Sequence, residues 1–354
     1  MHFELIAEVG SNHNGDVETA KRLVDVAADA GASSVKFQFI FAKGLYIPEF
    51  LDGNVRVPNR AYEQRLREEL SEEEWCSIWR HAQMRGVTPS ASVFCDRGIE
   101  LLRKLGSPYV KIASTDLTNT SLISAACRTF DRVILSTGMS TVAEVDRTLS
   151  TVDLGDRRRL TLMHCVSAYP CPLSEANTQR IGLLRSLSGL EVGFSDHTEG
   201  VEAAMMALVQ GARVFEKHFT LDKNQPGFDH RHALEPAELR RYLLKLSEGA
   251  ESLLRGPGEL SPLELVTRVR ARRGRYASRS LRAGDIVSSE DLLYLRPGNA
   301  AGELVESSFV GQVLTEDIPQ YASISTLQAG VSRGPAEWRD ASRYWNAEMV
   351  SKGM

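Results

Sequence analysis

The stretch FELIAEVGSNHNGDVETAKRLVDVAADAGASSVKFQFI, residues 3–40, holds one complete unit of the pattern that decides the fold. An apolar run at 3–9 is followed by an amphipathic stretch at 17–30 and by a second apolar run at 33–40. In the middle stretch apolar residues recur every three or four positions, which is typical of a helix with one buried face, whereas the flanking runs have the composition of strands. The stretch therefore predicts a strand, a helix and a second strand.

The same pattern continues down the chain. Further apolar or β-branched runs predict strands at 87–94, 109–114, 132–138, 160–167, 191–198 and 213–220. Amphipathic stretches predict helices at 72–85, 97–105, 120–129, 141–150, 177–187, 201–210 and 236–254. Eight strand–helix units over about 250 residues are typical of an α/β fold of the (β/α)8, or TIM, barrel type. A doubly wound parallel sheet is the second choice, and the lack of a dinucleotide-binding fingerprint counts against it.

Two segments depart from this repeat. Residues 42–70 form a long insertion after the second strand, on the face where a barrel has its active site, and such loops often act as lids. The strand–helix repeat ends near residue 254, so we expect a barrel domain at 1–254 and a linker at 255–277. An arginine-rich stretch in the linker is interpreted as a solvated, charged connection, in preference to an anion-binding strip.

The C-terminal part of the chain predicts a small second domain and a helix. Segments between 278 and 330 are short and β-like, and turns separate them at 283–285 and 296–298. In the tail, 331–354, large apolar residues recur at helical spacing from Trp338 to Met349. We expect this helical tail to dock on its own chain or on a partner subunit.

The composition limits the classes of function. The 354 residues carry 42 lysines and arginines against 46 aspartates and glutamates, and the net charge of −4 argues against nucleic acid or an anionic membrane as the main partner. No apolar run approaches the roughly 18 residues of a membrane helix, and the N-terminus lacks the features of a signal peptide. Five cysteines at irregular spacings are expected to be reduced thiols, which predicts a cytoplasmic protein.

Two lysines lie within predicted strands, near the ends where a barrel binds its ligands. A lysine inside a barrel is costly unless an anion neutralises it, and both Lys36 and Lys111 are expected there. Two lysines with several hydroxyl groups nearby predict a pocket for a phosphate or a carboxylate. The alternative is that each lysine only pairs with an acidic neighbour, which would be Glu8, Asp116 or Glu216.

Two histidines end the last two predicted strands. Period-2 alternation places His197 on the same face as Ser195, and His218 on the same face as Glu216. Two imidazoles on neighbouring strands, each next to an acidic residue, can hold a divalent metal with open coordination positions. Cys165 is interpreted as a buried, inert thiol.

These strand-end residues match a known family as a set. The matching segments are IAEVGSNHNGD (6–16), VKFQ (35–38), KIAS (111–114), LSTGMS (135–140), HCVSAYP (164–170), GFSDHT (193–198) and FEKHFT (215–220). Together they resemble the sialic acid synthase family, which comprises N-acetylneuraminate and other nonulosonate synthases. The stretch from SLRAGDI (280–286) to LRPG (295–298) is similar to the antifreeze-like (SAF) domain that such synthases carry. The resemblance covers residues 3–327.

The resemblance implies a reaction and its substrates. Phosphoenolpyruvate would condense with the aldehyde of an open-chain 2-acetamido hexose, either N-acetylmannosamine or a 6-deoxy-diacetamido analogue. The products would be phosphate and a nine-carbon α-keto acid of the sialic, legionaminic or pseudaminic type. The residues that would bind phosphoenolpyruvate are Lys36, Ser92, Lys111, Ser114, Ser136, Ser167 and Ser195. His197 and His218 would hold Mn²⁺ or Mg²⁺, which polarises the sugar aldehyde as a Lewis acid.

The resemblance also implies roles for single side chains. The implied catalytic residues are Glu8, Lys36, Lys111 and Asp116. The implied sugar-binding residues are Glu8, Gln38, Asp229 and Arg296. Asp116 would handle the water that adds to the substrate. Arg296 matches an arginine that reaches into the partner subunit's site, which implies a domain-swapped homodimer and a loss of activity on truncation after about residue 275.

Some positions depart from the family's commoner pattern. Phe39 replaces a threonine, Phe228 a proline and Ala233 a serine, and all three are expected near the sugar. Ser167 replaces the asparagine of authentic N-acetylneuraminate synthases, and Val93 replaces a proline. Apolar side chains near the sugar favour a less hydroxylated acceptor, such as a 6-deoxy, diacetamido sugar.

Three other functions stay open at this point. The first is another phosphoenolpyruvate–aldose synthase that uses a phosphorylated sugar, but the SAF-like segment and the lack of a second basic cluster count against it. The second is a non-catalytic barrel that binds sugar or serves as a scaffold, although both lysines and both histidines are present. A metal-dependent hydrolase ranks last, because it needs no phosphate pocket.

Overall fold

Eight strands close into a barrel in the first part of the chain. The computed structural model describes residues 3–254, 256, 258–296 and 309–324. Its strands are β1 (Glu4–Gly10), β2 (Ser34–Phe39), β3 (Glu49–Asp52), β4 (Val55–Pro58), β5 (Thr88–Val93), β6 (Val110–Ile112), β7 (Val133–Ser136), β8 (Leu160–His164), β9 (Glu191–Asp196), β10 (Val214–His218), β11 (Gly274–Ala277) and β12 (Leu292–Leu295). The barrel runs from β1 to β2 and then from β5 to β10, which pairs with β1. Every neighbouring pair is parallel, which confirms the predicted (β/α)8 barrel.

Helices surround the barrel at the predicted places. The helices are α1 (Val17–Ala30), α2 (Ala42–Leu45), α3 (Arg60–Glu68), α4 (Glu72–Met84), α5 (Asp96–Lys104), α6 (Thr120–Thr129), α7 (Val142–Thr151), α8 (Leu154–Arg157), α9 (Gln179–Ser188), α10 (Glu202–Val209), α11 (Pro236–Ser252) and α12 (Pro262–Ala271). All eight helices that the periodicity predicts are present, and their ends differ from the prediction by no more than two residues.

Local sequence explains where the first helices begin and end. The Asp16 carboxylate accepts a hydrogen bond from the backbone N–H of Thr19, so it caps the start of α1. Gly31 ends the same helix at φ 85°, a left-handed conformation that favours glycine. Ser71 and Glu74 form a reciprocal capping box at the start of α4.

The side chains of the barrel strands form two separate apolar layers. Those that point outward pack against the helices and make the main core. Those that point inward near the amino ends form a small cluster, which consists of Ile6, Tyr109, Ile134, Met163 and Val214. This cluster fills the barrel at the amino ends of the strands, so a ligand site is expected at their carboxyl ends.

The insertion at 42–70 follows β2 and contains regular secondary structure. It contains α2, a hairpin of β3 and β4, and α3. The hairpin is exposed along its length. The insertion follows the carboxyl end of a barrel strand, as expected from the sequence.

A second compact unit, Gly256–Met354, follows the barrel unit. Its strands β11 and β12 pair antiparallel, and isolated bridges add further short pairings. Its own apolar core consists of Ala277, Leu281, Val287, Phe309, Leu314, Ile318 and Ile324. The described part of this unit is therefore β-rich and has a core separate from that of the barrel.

The stretch 255–277, expected as a linker, contains α12 and β11 and so carries regular structure. The solvated interpretation of its arginines is wrong for Arg275. That side chain is buried, and its guanidinium lies 4.1 Å from the centroid of the Phe309 ring, where a cation can stack on an aromatic face. The predicted helical tail, 331–354, lies outside the described residues. None of the described helices is both long and apolar enough to cross a membrane.

Candidate active site

A cavity of about 600 Å³ opens at the carboxyl ends of the barrel strands. The predicted site residues on its wall are Glu8, Lys36, Gln38, Ser92, Lys111, Ser114, Ser136, Ser167, Ser195, His197, His218 and Asp229. They come from distant parts of the sequence, and parallel strands bring their ends together. The structure thus gathers the predicted phosphate-binding, metal-binding and sugar-binding residues in one space.

Two lysine–glutamate pairs lie at the base of this cavity. Lys36 Nζ is 2.5 Å from Glu8 Oε2 and donates to Ser92 Oγ at 2.8 Å. Lys111 Nζ is 2.7 Å from Glu216 Oε2, which also lies 3.5 Å from Lys36 Nζ. All four charged groups are buried. Each lysine therefore has an acidic partner, as the alternative interpretation of the lysines expected, and the same lysines face the cavity.

The two glutamates of this network differ in their affinity for a proton. Burial raises the pKa of Glu8 to about 7, and the attraction of Lys36 offsets only part of that rise. Burial would also raise the pKa of Glu216, but Lys111 and Lys36 outweigh it and hold the pKa below its usual range. Near neutral pH, Glu8 can therefore exchange a proton while Glu216 stays charged.

The serines lie beside a glycine that leaves room for a ligand. The backbone N–H of Gly138 donates to Ser114 Oγ at 3.0 Å, and Ser114 Oγ is 3.1 Å from Cys165 Sγ. A Cβ atom at position 138 would lie 2.6 Å from Ser167 Oγ, 2.7 Å from Cys165 Sγ and 2.9 Å from Ser114 Oγ. The three side chains can converge only because residue 138 is glycine, and the hydroxyl groups of the two serines can donate to an anion.

The tautomer of His197 follows from its hydrogen bonds. Its Nδ1 lies 2.7 Å from the carbonyl oxygen of Val166, which can only accept, so Nδ1 carries the proton. Burial lowers the pKa of His197 to about 3, and the ring is neutral near pH 7. Its Nε2 therefore has a free lone pair, and it lies 3.3 Å from Ser195 Oγ. A backbone carbonyl that fixes the ring in this way is typical of histidines that bind metals.

His218 lies close to a carboxylate and a second histidine. Its Nδ1 is 4.0 Å from Asp229 Oδ2, and His232 Nε2 is 3.7 Å from Asp229 Oδ1. Both of these ring nitrogens are buried and have no hydrogen-bond partner. Burial lowers the pKa of His218 to about 4, so its ring is neutral and can act as a ligand. Imidazole nitrogens beside a carboxylate fit a divalent metal.

A buried ion pair on the outer side of the barrel fixes the strands that carry these histidines. Lys217 Nζ is 3.0 Å from Asp196 Oδ2, and the Tyr242 hydroxyl donates to the same oxygen at 2.9 Å. These residues alternate along β9 and β10 with the residues that face the cavity. The pair therefore ties both strands to each other and to α11.

Two predicted site residues do not lie on the cavity wall. Asp116 accepts hydrogen bonds from Asn119 Nδ2 at 3.1 Å and from Thr115 Oγ1 at 3.0 Å, beside the cavity. Arg296 is an exposed residue that follows β12 in the second unit.

Of Phe39, Phe228 and Ala233, which are all expected near the sugar, only Phe228 lines the cavity. Phe39 points out of the barrel, and its ring centroid is 4.6 Å from that of Trp75 in the main core. Ala233 is fully buried and is not on the cavity wall. Alternation along β2 explains the first error, because Gln38 points inward and the next residue must point outward.

Several cavity residues were not assigned to the site from the sequence. Glu216 was considered only as a partner of the lysines, although alternation places it on the same face as His218. Tyr169 lies with its ring centroid 4.2 Å from that of His197. Arg65, from α3, lines the outer wall and pairs with Glu68 at 2.8 Å. The last two come from connecting segments, where strand periodicity gives no signal.

The closed barrel and its charged cavity define a TIM-barrel protein with a ligand site at the carboxyl ends of its strands. The family model described as the NeuB family matches residues 23–256. The chain belongs to this family, the sialic acid synthases, as the sequence motifs predict.

Individual relatives agree with this assignment. The chain is 35% identical over 327 residues to an N,N'-diacetyllegionaminic acid synthase of Legionella pneumophila, covering 89% of this chain and 91% of the relative. It is 32% identical over 320 residues to the enzyme of the same name from Campylobacter jejuni, covering 88% and 96%. The solved N-acetylneuraminic acid synthetase of Leptospira borgpetersenii, in complex with citrate, superposes with a TM-score of 0.66 at 30% identity, covering 75% and 89%.

Proposed function

We propose that this protein condenses phosphoenolpyruvate with the aldehyde of an open-chain 2-acetamido hexose and releases phosphate. The observation that carries the proposal is the cavity in which two buried lysines and a group of serines face the same space as two histidines. Family membership supports the same reaction, because the relatives are named as synthases of nonulosonic acids.

The charges of the cavity suit a small anion that carries a phosphate and a carboxylate. Lys36 and Lys111 supply two positive charges, and Glu216 compensates one of them. Glu8 can become neutral near pH 7, and the resulting surplus of positive charge attracts the substrate. The serine hydroxyls around Gly138 then supply hydrogen-bond donors for the anionic oxygens.

The proposed reaction consumes one water and yields one phosphate for each keto acid. C3 of phosphoenolpyruvate forms a bond to the aldehyde carbon, the aldehyde oxygen takes a proton and becomes a hydroxyl, and positive charge develops at C2. Water adds at C2 and gives up one proton, which leaves a hydroxyl there. The C2–O bond to phosphate then breaks as this hydroxyl loses its proton and becomes the keto group, and the leaving phosphate takes up a proton. Glu8 holds or accepts one of these protons, because its pKa of about 7 suits both directions of transfer. Asp116 is less suited to this proton transfer than Glu8, because Glu8 lines the cavity and Asp116 lies beside it.

A divalent metal completes the proposed site. Mn²⁺ or Mg²⁺ held by His197 and His218 would supply Lewis-acid polarisation of the aldehyde. The free lone pair of His197 Nε2 and the unpartnered Nδ1 of His218 support this assignment. Gln38, 3.3 Å from Glu8, and Asp229 provide polar groups for the sugar.

The acceptor class that we favour is a 6-deoxy, diacetamido hexose. Phe228, with its exposed ring at the cavity rim, offers an apolar contact to a sugar methyl group or to an N-acetyl group. The two relatives named as legionaminic acid synthases support the same class. N-acetylmannosamine is the second candidate, because the solved relative is named as an N-acetylneuraminic acid synthetase.

We also propose that the second unit, residues 278–330 in particular, is an SAF-like domain that acts across a domain-swapped homodimer. Its small core and antiparallel strands are consistent with such a domain. Arg296 would then contribute to the site of the partner subunit. The five unpaired cysteines agree with a reducing compartment, the cytoplasm.

The test is phosphate release from phosphoenolpyruvate in the presence of Mn²⁺ and a panel of acceptors. The panel contains N-acetylmannosamine, its 6-phosphate and 6-deoxy-diacetamido hexoses, and one reaction contains no sugar. We expect release only with an unphosphorylated 2-acetamido hexose, fastest with the diacetamido sugars. Preference for the 6-phosphate, or release without any sugar, would contradict the proposal. Binding of phosphoenolpyruvate without release would instead indicate a non-catalytic barrel.

A further inference from the structure

We propose that the C-terminal tail, residues 331–354, docks as a helix on α12 of its own chain. No residue of the tail has a role in the proposed reaction, so docking and catalysis are tested separately. The resemblance to the synthase family ends at residue 327 and gives no information about the tail. The groove lies along the described residues of α12, and the segment that fits it is defined by its sequence.

One side of α12 forms an exposed, largely apolar groove of about 700 Å³. The described residues that line it are Leu260, Leu263, Glu264, Thr267, Arg268, Ala271 and Arg272. The apolar and small side chains among them recur every three or four residues and form a stripe along one face of the helix. Leu263, near the start of this stripe, is 80% exposed. A face of this kind suits packing against another helix.

α12 is too short to be stable without such packing. It has ten residues, and none of its described side chains is buried. Isolated helices shorter than about 12–15 residues are marginal in water. The capping box of Ser261 and Glu264 satisfies polar groups at the start of the helix but buries no apolar surface. We therefore expect another segment to cover the stripe.

The tail carries an apolar stripe of the same spacing. It consists of Trp338, Ala341, Trp345 and Met349, at intervals of three, four and four residues. The groove residues Leu260, Leu263, Thr267 and Ala271 follow the same intervals. Helices with equal spacing can interdigitate their side chains, and bulky tryptophans suit a groove that contains small residues. The spacing of the tail thus matches the face that needs a cover.

The charges beside the two stripes also favour this pairing. Arg268 and Arg272 line the groove, and Glu264 balances only one of their two positive charges. In the tail, Glu337 and Glu348 each directly precede a residue of the stripe, so on a helix they flank it on the same side. Opposite charges at the edges of two packed helices favour their association.

The end of the described chain lies next to α12. The described residues end at Ile324, whose backbone N–H donates to the carbonyl oxygen of Arg275 at 3.0 Å. Arg275 comes four residues after Ala271, the last residue of α12. The ten residues of α12 extend over about 15 Å, and the connection 325–330 can span about 20 Å. The tail of the same chain can therefore reach the groove.

Hydrogen exchange of residues 262–271, measured by mass spectrometry on the full-length protein, tests the docking. Ala341→Glu places a charge within the stripe of the tail. Ala347→Glu is the matched control, because Ala347 lies about 200° around a helix from Trp345. We expect Ala341→Glu to speed exchange in α12 by at least about tenfold and Ala347→Glu to leave it unchanged. Equal exchange in the wild type and both variants would overturn the proposal.

Tryptophan fluorescence gives a second readout on the same variants. Trp75 and Trp79 are buried in the barrel, whereas Trp338 and Trp345 are shielded only if the tail docks. We expect acrylamide to quench the wild type and Ala347→Glu weakly, and Ala341→Glu more strongly. Quenching of the wild type as strong as that of Ala341→Glu would mean that the tail is free in solution, which contradicts the proposal.

Cross-linking identifies the chain that supplies the tail. Thr267→Cys and Ala341→Cys are combined in one chain and joined with a short bismaleimide, and peptide mass analysis distinguishes this link from links to the five native cysteines. We expect a link between positions 267 and 341 within one chain, which keeps the mass of a single chain in denaturing electrophoresis. A link that joins two chains would show that a second copy supplies the tail and would overturn the assignment.

Discussion

At the scale of single residues, Gly138 decides whether the serines of the cavity can share one ligand. The atoms of Ser114, Cys165 and Ser167 surround the space that a side chain at position 138 would fill. The site therefore requires glycine at position 138 as much as it requires the groups that donate hydrogen bonds.

Gly138→Ala tests this feature directly. A Cβ atom would lie 2.6–2.9 Å from three side-chain atoms, so these groups must move, and a displacement of about 1 Å in such a site can cost roughly 100-fold in kcat/KM. We expect kcat/KM for phosphoenolpyruvate to fall by about this factor while the melting temperature changes little. Gly155→Ala is the control, because an added Cβ at position 155 meets nothing within 4 Å. Equal kcat/KM values for the two variants would show that the groups around Gly138 do not contact the substrate.

His13 makes the stability of the barrel depend on pH. Its Nδ1 accepts the backbone N–H of Gly15 at 3.1 Å, and its ring lies edge-on to Trp75 at 5.5 Å. Burial lowers the pKa of His13 from 6.5 to about 4. The unfolded chain therefore binds a proton that the folded chain excludes, so this contribution to stability is present above pH 6.5 and is lost as the pH falls towards 4.

The expected loss can be measured by urea unfolding followed by tryptophan fluorescence. Between about pH 7.5 and pH 5, the exclusion of this proton should lower the free energy of unfolding by about 2 kcal/mol. His13→Gln should remove this part of the pH dependence, although it also lowers stability at every pH. A variant whose free energy of unfolding falls with pH as steeply as that of the wild type would show that His13 is charged in the folded protein.

At the scale of elements, the sequence predicts the barrel well because strands and helices are local patterns. The runs that begin at Glu4 and Ser34 are found as β1 and β2, and the stretch between them is found as α1. The stretch 255–277, expected as a linker, instead contains α12 and β11. β11 is only four residues long and includes Arg275, whose charge suggested exposure, although it stacks on a ring that is distant in sequence.

The site was predictable to the extent that it lies on strands. Alternation and the family motifs place Lys36, Lys111 and His218 on the inner face, and the structure agrees. Tyr169 and Arg65 come from segments outside the barrel strands, and no period of the sequence predicts that such a residue turns towards the cavity. Their positions depend on long-range packing.

The insertion between β2 and α4 contributes a positive charge to the outer part of the cavity. Arg65 lines the wall and is held by Glu68, whereas Arg56 lies on the exposed hairpin and pairs with Glu49. We expect Arg65→Ala to raise KM for the acceptor by about tenfold and to leave KM for phosphoenolpyruvate nearly unchanged, because Arg65 comes from α3 and not from the barrel strands that carry the buried lysines.

Steady-state kinetics with each substrate varied in turn would check this expectation. Arg56→Ala is the matched control from the same insertion, and both of its KM values should equal those of the wild type. An equal rise in the two KM values of Arg65→Ala would mean that the insertion supports the whole cavity and does not contact the acceptor specifically.

At the scale of the whole molecule, the chain consists of a barrel unit and a smaller unit, each with its own core. We expect a chain ending at residue 255 to fold and to bind phosphoenolpyruvate, because all of the lining residues that the structure describes belong to the barrel unit. Its turnover should be lost if Arg296 acts across a dimer.

Complementation tests the proposed exchange between subunits. His197→Ala should inactivate the barrel site, and Arg296→Ala should remove the contribution of the second unit. Each variant alone should be inactive, whereas mixed dimers of the two should recover part of the activity, because one of their two sites is intact. If both variants fold and exchange subunits but activity does not return, the Arg296 assignment is wrong.

The proposed reaction joins phosphoenolpyruvate to a 2-acetamido hexose in this cavity, and measuring its stoichiometry tests it without ambiguity. Phosphate and product would be quantified in one reaction mixture, by ³¹P resonance and by mass spectrometry. We expect one phosphate for each molecule of product, a product heavier than the acceptor by one pyruvate unit, and no phosphate without the sugar. Phosphate released without a matching sugar product, or none released with any acceptor, would show that the protein does not catalyse this condensation.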